Sequence, residues 1–260
     1  MNAIFPTREI RSIIRGCTPV DRGCRNCYAA THEAYSKGGE QIVVIRNNVP
    51  TFNGRLIVDE SAPFPWESDD DPNIWWFSHC DPFHPDVPTS LIVRILDSFA
   101  KHRHHRLMIV TKRPERLKDV QVWQAVEAAG SVIALGVSAS NQTDLEDRWA
   151  SAQKVRCPRF IYVEPCLEYV KLPVGVFSAS DLLDRDRDWV AVLCEQGNPN
   201  LVTPAPVDAI RRMREDCDAA GIPFWWERGN DGAAAVAERK RAMLAGKPYL
   251  IKPERMVFAC

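Results

Sequence analysis

The chain has 260 residues, 45% of them hydrophobic and 26% charged, and a net charge of −1. These are the proportions of an ordinary globular protein with room for a sizeable core. They give no global electrostatic case for a polyanionic partner, and no stretch reaches the roughly 18 consecutive apolar residues of a membrane-spanning helix.

The N-terminal MNAIFPTREIRS lacks the charged-then-apolar order of a signal peptide. The nine cysteines are therefore expected as reduced thiols in the cytoplasm, some of them metal ligands, rather than as disulfides. The first strand candidate, SIIRGC (12–17), leads into GCTPVDRGCRNCYA (16–29), and a helix is expected over about 28–36. Residues 36–73 break the pattern that follows. There, QIVVIRN and GRLIVDE read as a hairpin, followed by the acidic, proline-containing APFPWESDDDPN. We read this stretch as an insertion after the first helix, either a lid over a site or surface decoration.

From residue 74 onward, short apolar runs that end abruptly in polar residues alternate with segments of helical spacing. The strand candidates are IWWFSHCD (74–81), RLMIVTKR (106–113), VIALGVSASN (132–141), RFIYVEP (159–165), WVAVLCEQG (189–197) and IPFWWERG (222–229). The helix candidates are 87–102, 114–130, 141–155 and 207–221, and Gly130 and Gly221 are their stops. The basic run KHRHHR (101–106) reads as a solvated helix end or a partner contact.

Apolar strands alternating with helices predict a parallel sheet covered by helices, here a partial or complete β/α (TIM-like) barrel. A doubly wound open sheet is the alternative. The expectation is a single domain over 1–260 with 36–73 inserted in it. In such sheets the ligand site forms at the carboxyl ends of the strands. Those ends carry Cys17, then His79, Cys80 and Asp81, then Lys112 and Arg113, then Ser138 and Asn141, then Glu164, then Glu195, and last Glu227 and Arg228. Neighbouring residues on a strand face opposite ways, so one member of each pair Trp75/Trp76 and Trp225/Trp226 should point into the barrel.

Cys17, Cys24 and Cys27 lie within eleven positions, and Gly16 and Gly23 give the segment backbone freedom. Three thiols suit neither a disulfide pair nor a four-ligand zinc site by themselves. A zinc ion would need a fourth donor from His32, His79, Cys80 or His84. A cubic iron–sulfur cluster held by three thiolates would leave one iron open to a small molecule, as in radical S-adenosylmethionine (SAM) enzymes. Unligated thiols are the third reading. Cys80 and Cys194, at predicted strand ends, are further candidates to face a cluster or substrate as ligand or hydrogen donor, and Cys217 reads as helix packing.

The ordered blocks 16–29, SHCDPFHPDVP (78–88), IVTKRPERL (109–117), LGVSASNQ (135–142), RFIYVEP (159–165), DWVAVLCEQG (188–197) and RMREDCDAAGIPFWW (212–226) resemble the three-Cys-motif phage proteins, an uncharacterised, radical-SAM-like family. The resemblance implies a β/α barrel of the radical SAM type. It implies a [4Fe–4S] cluster on Cys17, Cys24 and Cys27, with SAM on the open iron and a 5′-deoxyadenosyl radical as the product of its cleavage. By position it implies SAM or substrate contacts at Ser138, Asn141, Glu164 and Glu195, and groups near substrate at Asp81, His84, Lys112, Arg113 and Glu227. The chain departs from the family pattern at SIIRGC, at LCEQG and at WWERGN, where Glu227 and Arg228 bear on substrate choice. A phage context suggests host cytoplasm and modification or repair of a nucleoside or of DNA, the latter including a lesion-specific lyase. It also implies a reductase or other electron donor, with a partner protein as a further expectation. The alternative function is a zinc-stabilised β/α-barrel binding protein without radical chemistry.

Overall fold

The computed structural model describes residues 7–174, 183–184, 188–195, 199–204 and 206–227. Seven parallel strands form the main sheet: β1 (Thr7–Ile10), β6 (Ile74–Phe77), β7 (Arg106–Thr111), β8 (Ile133–Ala139), β9 (Arg159–Val163), β10 (Trp189–Leu193) and β11 (Phe224–Glu227). Each strand pairs with the next main-sheet strand along the chain, as in Ile10↔Phe77, Trp76↔Met108 and Val110↔Gly136. The result is a curled parallel half-barrel, the partial form of the expected fold.

The first strand is not where the sequence suggested. Thr7–Ile10 takes that place in the sheet, while SIIRGC supplies the two-residue β2 (Ile14–Arg15). That strand pairs antiparallel with β5 (Ile57–Val58). The hairpin is also redrawn. Its strands are β3 (Val43–Arg46) and β4 (Val49–Phe52), joined by Asn47 and Asn48 at φ 50° and 61°. Two central residues in the left-handed region make the tight turn whose twist matches a hairpin, and asparagine tolerates that backbone better than most residues. The segment GRLIVDE therefore pairs not with QIVVIRN but with the strand that leads into the cysteine loop.

The helices sit between main-sheet strands as expected: α2 (Thr89–Lys101), α3 (Val120–Ala129), α4 (Gln142–Ala152) and α5 (Val207–Ala220), with α1 (Tyr28–Ala34) after the cysteine loop. The segment expected as one helix from Pro114 divides in two. Pro114–Lys118 is a 3-10 turn, and α3 starts afresh because the Asp119 side chain accepts from the Gln121 amide at 3.0 Å. Gly221, at φ 71°, ends α5.

Alternate residues of the strands supply two apolar layers. Leu107, Ile109, Leu135, Val137, Ile161, Val163, Val190 and Val192 face the helices in the large core. Ala134, Phe160, Tyr162, Trp189, Ala191 and Leu193 fill the inner face. The tryptophan pairs divide in the same way. Trp75 and Trp226 pack on the helix side, Trp225 packs on the inner face, and Trp76 lines the cavity described below.

The acidic stretch of the insertion is more than decoration. Trp66, in the 3-10 turn Pro65–Ser68, is fully buried and stacks on Phe99 of α2 with ring centroids 4.3 Å apart. Its indole Nε1 donates to Ser98 Oγ at 2.9 Å, and that hydroxyl donates to Glu67 at 2.6 Å. The basic run on the other side of α2 is likewise engaged. His105 is buried, and its ring nitrogens meet the Asn73 amide at 3.2 Å and the Trp66 carbonyl at 2.9 Å. Replacement Trp66→Ala should lower unfolding stability by about 3–5 kcal/mol, the usual cost of emptying a large aromatic site. Urea denaturation checks this, and a loss below about 0.5 kcal/mol would return the segment to the surface.

Candidate active site

One cavity at the carboxyl ends of the strands gathers most of the residues singled out from sequence. Cys17, Cys24, Cys27, Asp81, Lys112, Arg113, Ser138, Glu164 and Glu195 all line it. With its open mouth, and the solvent space there included, it encloses about 980 Å³. Its apolar wall includes Phe52 from the insertion, Trp76 and Phe77 from β6, Val110 from β7 and Tyr162 from β9.

The loop carrying the three thiols lies across the ends of β7, β8 and β9, and backbone contact holds it there. A Cβ on Gly23 would stand 2.2 Å from Ser140 Oγ and 2.7 Å from Pro165 Cδ, so this position accepts only glycine without displacement. At the loop's start Gly16, with φ 95°, approaches the insertion so closely that a Cβ would stand 2.3 Å from the Arg55 carbonyl oxygen.

Side chains complete the attachment. The Asp21 carboxylate accepts from Lys112 Nζ at 2.8 Å, from Arg148 Nη2 of α4 at 2.7 Å and from the Cys24 amide at 3.1 Å. Burial pushes its carboxyl up, but Lys112 and Arg148 outweigh that effect and hold it below the usual aspartate range. Lys112 Nζ also lies 3.7 Å from Cys24 Sγ. Arg113 Nη2 donates to the Thr18 carbonyl at 2.8 Å, and Thr18 Oγ1 meets His84 Nε2 at 2.8 Å.

Asp81 acts at the base of this arrangement. Its carboxylate accepts from Thr111 Oγ1 at 2.8 Å and from the amides of Lys112 and Phe83 at 2.9 Å each. It thereby fixes the chain where Lys112 and Arg113 leave β7. All three border the cavity; Lys112 and Arg113 bond the cysteine loop, and Asp81 fixes the turn that carries them.

The far side of the loop is fastened by Glu33 of α1. Arg15, just before the loop, donates to its Oε2 at 3.1 Å, and His79 Nδ1 stands 2.8 Å from its Oε1. Tyr28, at the start of the same helix, donates its hydroxyl to the Ser78 carbonyl at 2.9 Å. Glu33 thus ties the strand before the loop, the helix after it and the end of β6 together. Burial raises its carboxyl, and Arg15 and His79 more than reverse this.

Two expected site residues, His84 and Asn141, fall elsewhere. His84 is buried beneath Thr18 and is not part of the cavity wall. Asn141 caps α4, its Oδ1 accepting from the Asp144 amide at 2.9 Å, which is the ordinary work of an asparagine before a helix. Glu227 closes β11, and Arg228 lies outside the described residues. Of the other candidate donors, Cys80, Cys194 and His79 line the cavity, while His32 is exposed on α1. Sequence reasoning passed over Asp21, Arg148 and Glu33. Asp21 was detectable as an aspartate three residues before Cys24, the spacing of an N-terminal cap. Arg148 carried no such signal, since only folding brings it to Asp21 across 127 positions.

Two of the three thiols, Cys17 and Cys27, share an electrostatic condition. None of the eight described cysteines forms a disulfide. Burial pushes the Cys17 thiol up to about 12, with Asp81 adding to the effect. It pushes Cys27 up to about 11 against the opposing amides of Ala30 and Ala29. Thiols so placed stay protonated until something cationic arrives to stabilise the thiolates. Among the described residues, no three or more His, Cys, Asp or Glu side chains are gathered as donors to one metal ion.

The family model described as "Protein of unknown function (DUF5131)" matches residues 4–249, and the chain belongs to that family. No curated protein matches the chain. Among solved structures it is similar to spore photoproduct lyase. A cysteine-to-alanine mutant of that protein is 13% identical with a TM-score of 0.48 over 90% of this chain and 71% of that one. A double mutant with bound AdoMet and dinucleoside spore photoproduct is 12% identical at 0.43 with the same coverage.

Two outcomes follow from this geometry. Gly23→Ala should open the loop and speed alkylation of Cys17, Cys24 and Cys27 by iodoacetamide, read by mass spectrometry, while Gly130→Ala, whose Cβ would meet nothing within 4 Å, should not. Burial also lowers the pKa of His79, His84 and His105 below the usual histidine value. A group depressed in this way contributes stability above its unfolded pKa of about 6.5 and loses it as pH falls further. The urea midpoint should therefore drop between about pH 7.5 and 5.5, and His79→Gln should flatten that drop.

Proposed function

We propose that this protein is a radical SAM enzyme whose Cys17, Cys24 and Cys27 hold a [4Fe–4S] cluster. One observation carries the reading: three unpaired thiols converge on a single cavity at the carboxyl end of a parallel half-barrel. The chemistry of the donor set fits. A zinc ion needs its donors together around one point at about 2.0–2.3 Å, whereas a cube takes each thiolate at a different iron. Iron supplies the positive charge that buried thiols with raised pKa values require before they can ligate. The resemblance to three-Cys-motif phage proteins supports the same assignment.

Bound there, a cluster with one iron free of protein thiolate supplies the one-electron cleavage of SAM that yields a 5′-deoxyadenosyl radical. The chain's own residues do the rest. Asp21, Lys112, Arg113 and Glu33 hold the cysteine loop against the strand ends. Ser138, Glu164 and Glu195 offer hydroxyl and carboxylate groups to amino, ribose or base edges. Trp76, Tyr162 and Phe52 give the cavity aromatic walls of the kind on which a nucleobase stacks. We propose a nucleoside or nucleic-acid component as substrate, in modification or repair, and a reducing cytoplasm with a low-potential electron donor as the setting.

Anaerobic reconstitution tests the reading. The protein should turn brown and bind about four irons and four sulfides per chain. Each of Cys17→Ala, Cys24→Ala and Cys27→Ala should abolish that content, and the loaded wild type with SAM and dithionite should release 5′-deoxyadenosine. A colourless protein with stoichiometric zinc, or a loaded one that yields no 5′-deoxyadenosine, would overturn it.

A further inference from the structure

Lys112 stands where the proposed substrate contacts were expected, but its ammonium group is already engaged. Nζ lies 2.8 Å from Asp21 Oδ1 and 3.7 Å from Cys24 Sγ, and its side chain is only 18% exposed. Asp21 is shared with Arg148, whose Nη2 is 2.7 Å from Oδ2, and that guanidinium in turn lies 3.6 Å from Asp144. Charges therefore alternate along a row: Asp144, Arg148, Asp21 and Lys112. The cationic end of the row touches the Cys24 sulfur. Asp21 also accepts from the Cys24 amide at 3.1 Å, so the loop and the row are held in one register.

We propose that this row sets the reduction potential of the cluster, with Lys112 donating a charge-assisted N–H···S hydrogen bond to the Cys24 thiolate. The proposal rests on the cluster assignment made above. The physical reason is the change in charge on reduction. One electron from an external low-potential reductant passes to the cluster, with no bond made or broken, and adds one negative charge beside the sulfur. A cation and a hydrogen bond at that sulfur favour the more negative state, and both are established controls of iron–sulfur potentials. In a half-buried site such a charge is weakly screened. Lys112 is in this reading a tuning residue and not a substrate contact.

The row makes a signed prediction that a purely structural role does not share. Lys112→Met removes the cation at the sulfur and should lower the midpoint potential. Asp21→Asn, which keeps an oxygen for the Cys24 amide but takes away the counter-charge, should raise it. Arg148→Gln leaves Asp21 to neutralise Lys112 alone and should lower it. Lys112→Arg should stay near the wild type.

The measurement is a redox titration of the anaerobically reconstituted proteins, followed by the electron paramagnetic resonance of the reduced cluster, with iron and sulfide content determined for each. Opposite shifts for Lys112→Met and Asp21→Asn bear the proposal out. Loaded variants with unchanged potentials, or shifts in one common direction, overturn it. So does a set of variants that fail to load when the wild type loads, since the row would then be only a fastening. A wild type without iron and sulfide defeats the cluster assignment itself, which is a separate result.

Discussion

The site depends on one carboxylate. Asp21 accepts from a backbone amide of its own loop and from two cations that arrive on different elements, Lys112 after β7 and Arg148 on α4. Its side chain is only 5% exposed, so these bonds are made where water competes poorly, and removal of the carboxylate would leave the Lys112 ammonium without its counter-charge. Without this joint the loop would keep the glycine contacts and the bonds of Thr18 to Arg113 and His84 but lose its tie to α4. Three thiols on a free loop are separate thiols, and held against the sheet they form a wall of one cavity.

A second joint mirrors the first. Glu33 joins Arg15 and His79 on the opposite side of the loop, so the segment between residues 16 and 27 is anchored at both flanks. The two joints have different characters. Glu33 ties local pieces, the chain just before the loop and the helix just after it, to the end of one strand. Asp21 reaches across the sheet to partners 91 and 127 positions away. The insertion contributes to the same frame. Its Arg55 carbonyl packs on Gly16, and its Phe52 joins the cavity wall. The stretch that interrupts the strand–helix alternation therefore builds part of the site's border, and its Trp66 anchors it in the core.

Several residues that look chemical in sequence prove to serve the architecture. Asp81 and Arg113 sit at strand ends and border the cavity, yet hydrogen bonds to Thr111, Phe83, Lys112 and Thr18 occupy them. A polar group buried at such a position must be satisfied by something. Here Thr111 and the Lys112 and Phe83 amides satisfy Asp81, and the Thr18 carbonyl of the loop that carries the thiols satisfies Arg113. Catalytic potential and support are thus interleaved at one end of the sheet.

The sequence by itself determined the repeating strand–helix order from residue 74, the parallel class of the sheet and the collection of Cys17, Cys24, Cys27, Lys112, Ser138, Glu164 and Glu195 at one end of it. Period and punctuation are local properties, and strand ends follow from them. It misplaced the first strand and the hairpin partner because two- to four-residue strands carry too little pattern to choose between neighbours. Ile14–Arg15 and Ile57–Val58 are apolar enough to pair with several segments. Tertiary structure alone decided that Asn141 caps a helix, that Trp66 is core, and that Asp21, Arg148 and Glu33 hold the loop. Those roles depend on which distant group lies within about 3 Å, a distance set by how the strands curl and where α1 and α4 pack, and no spacing along the chain encodes it.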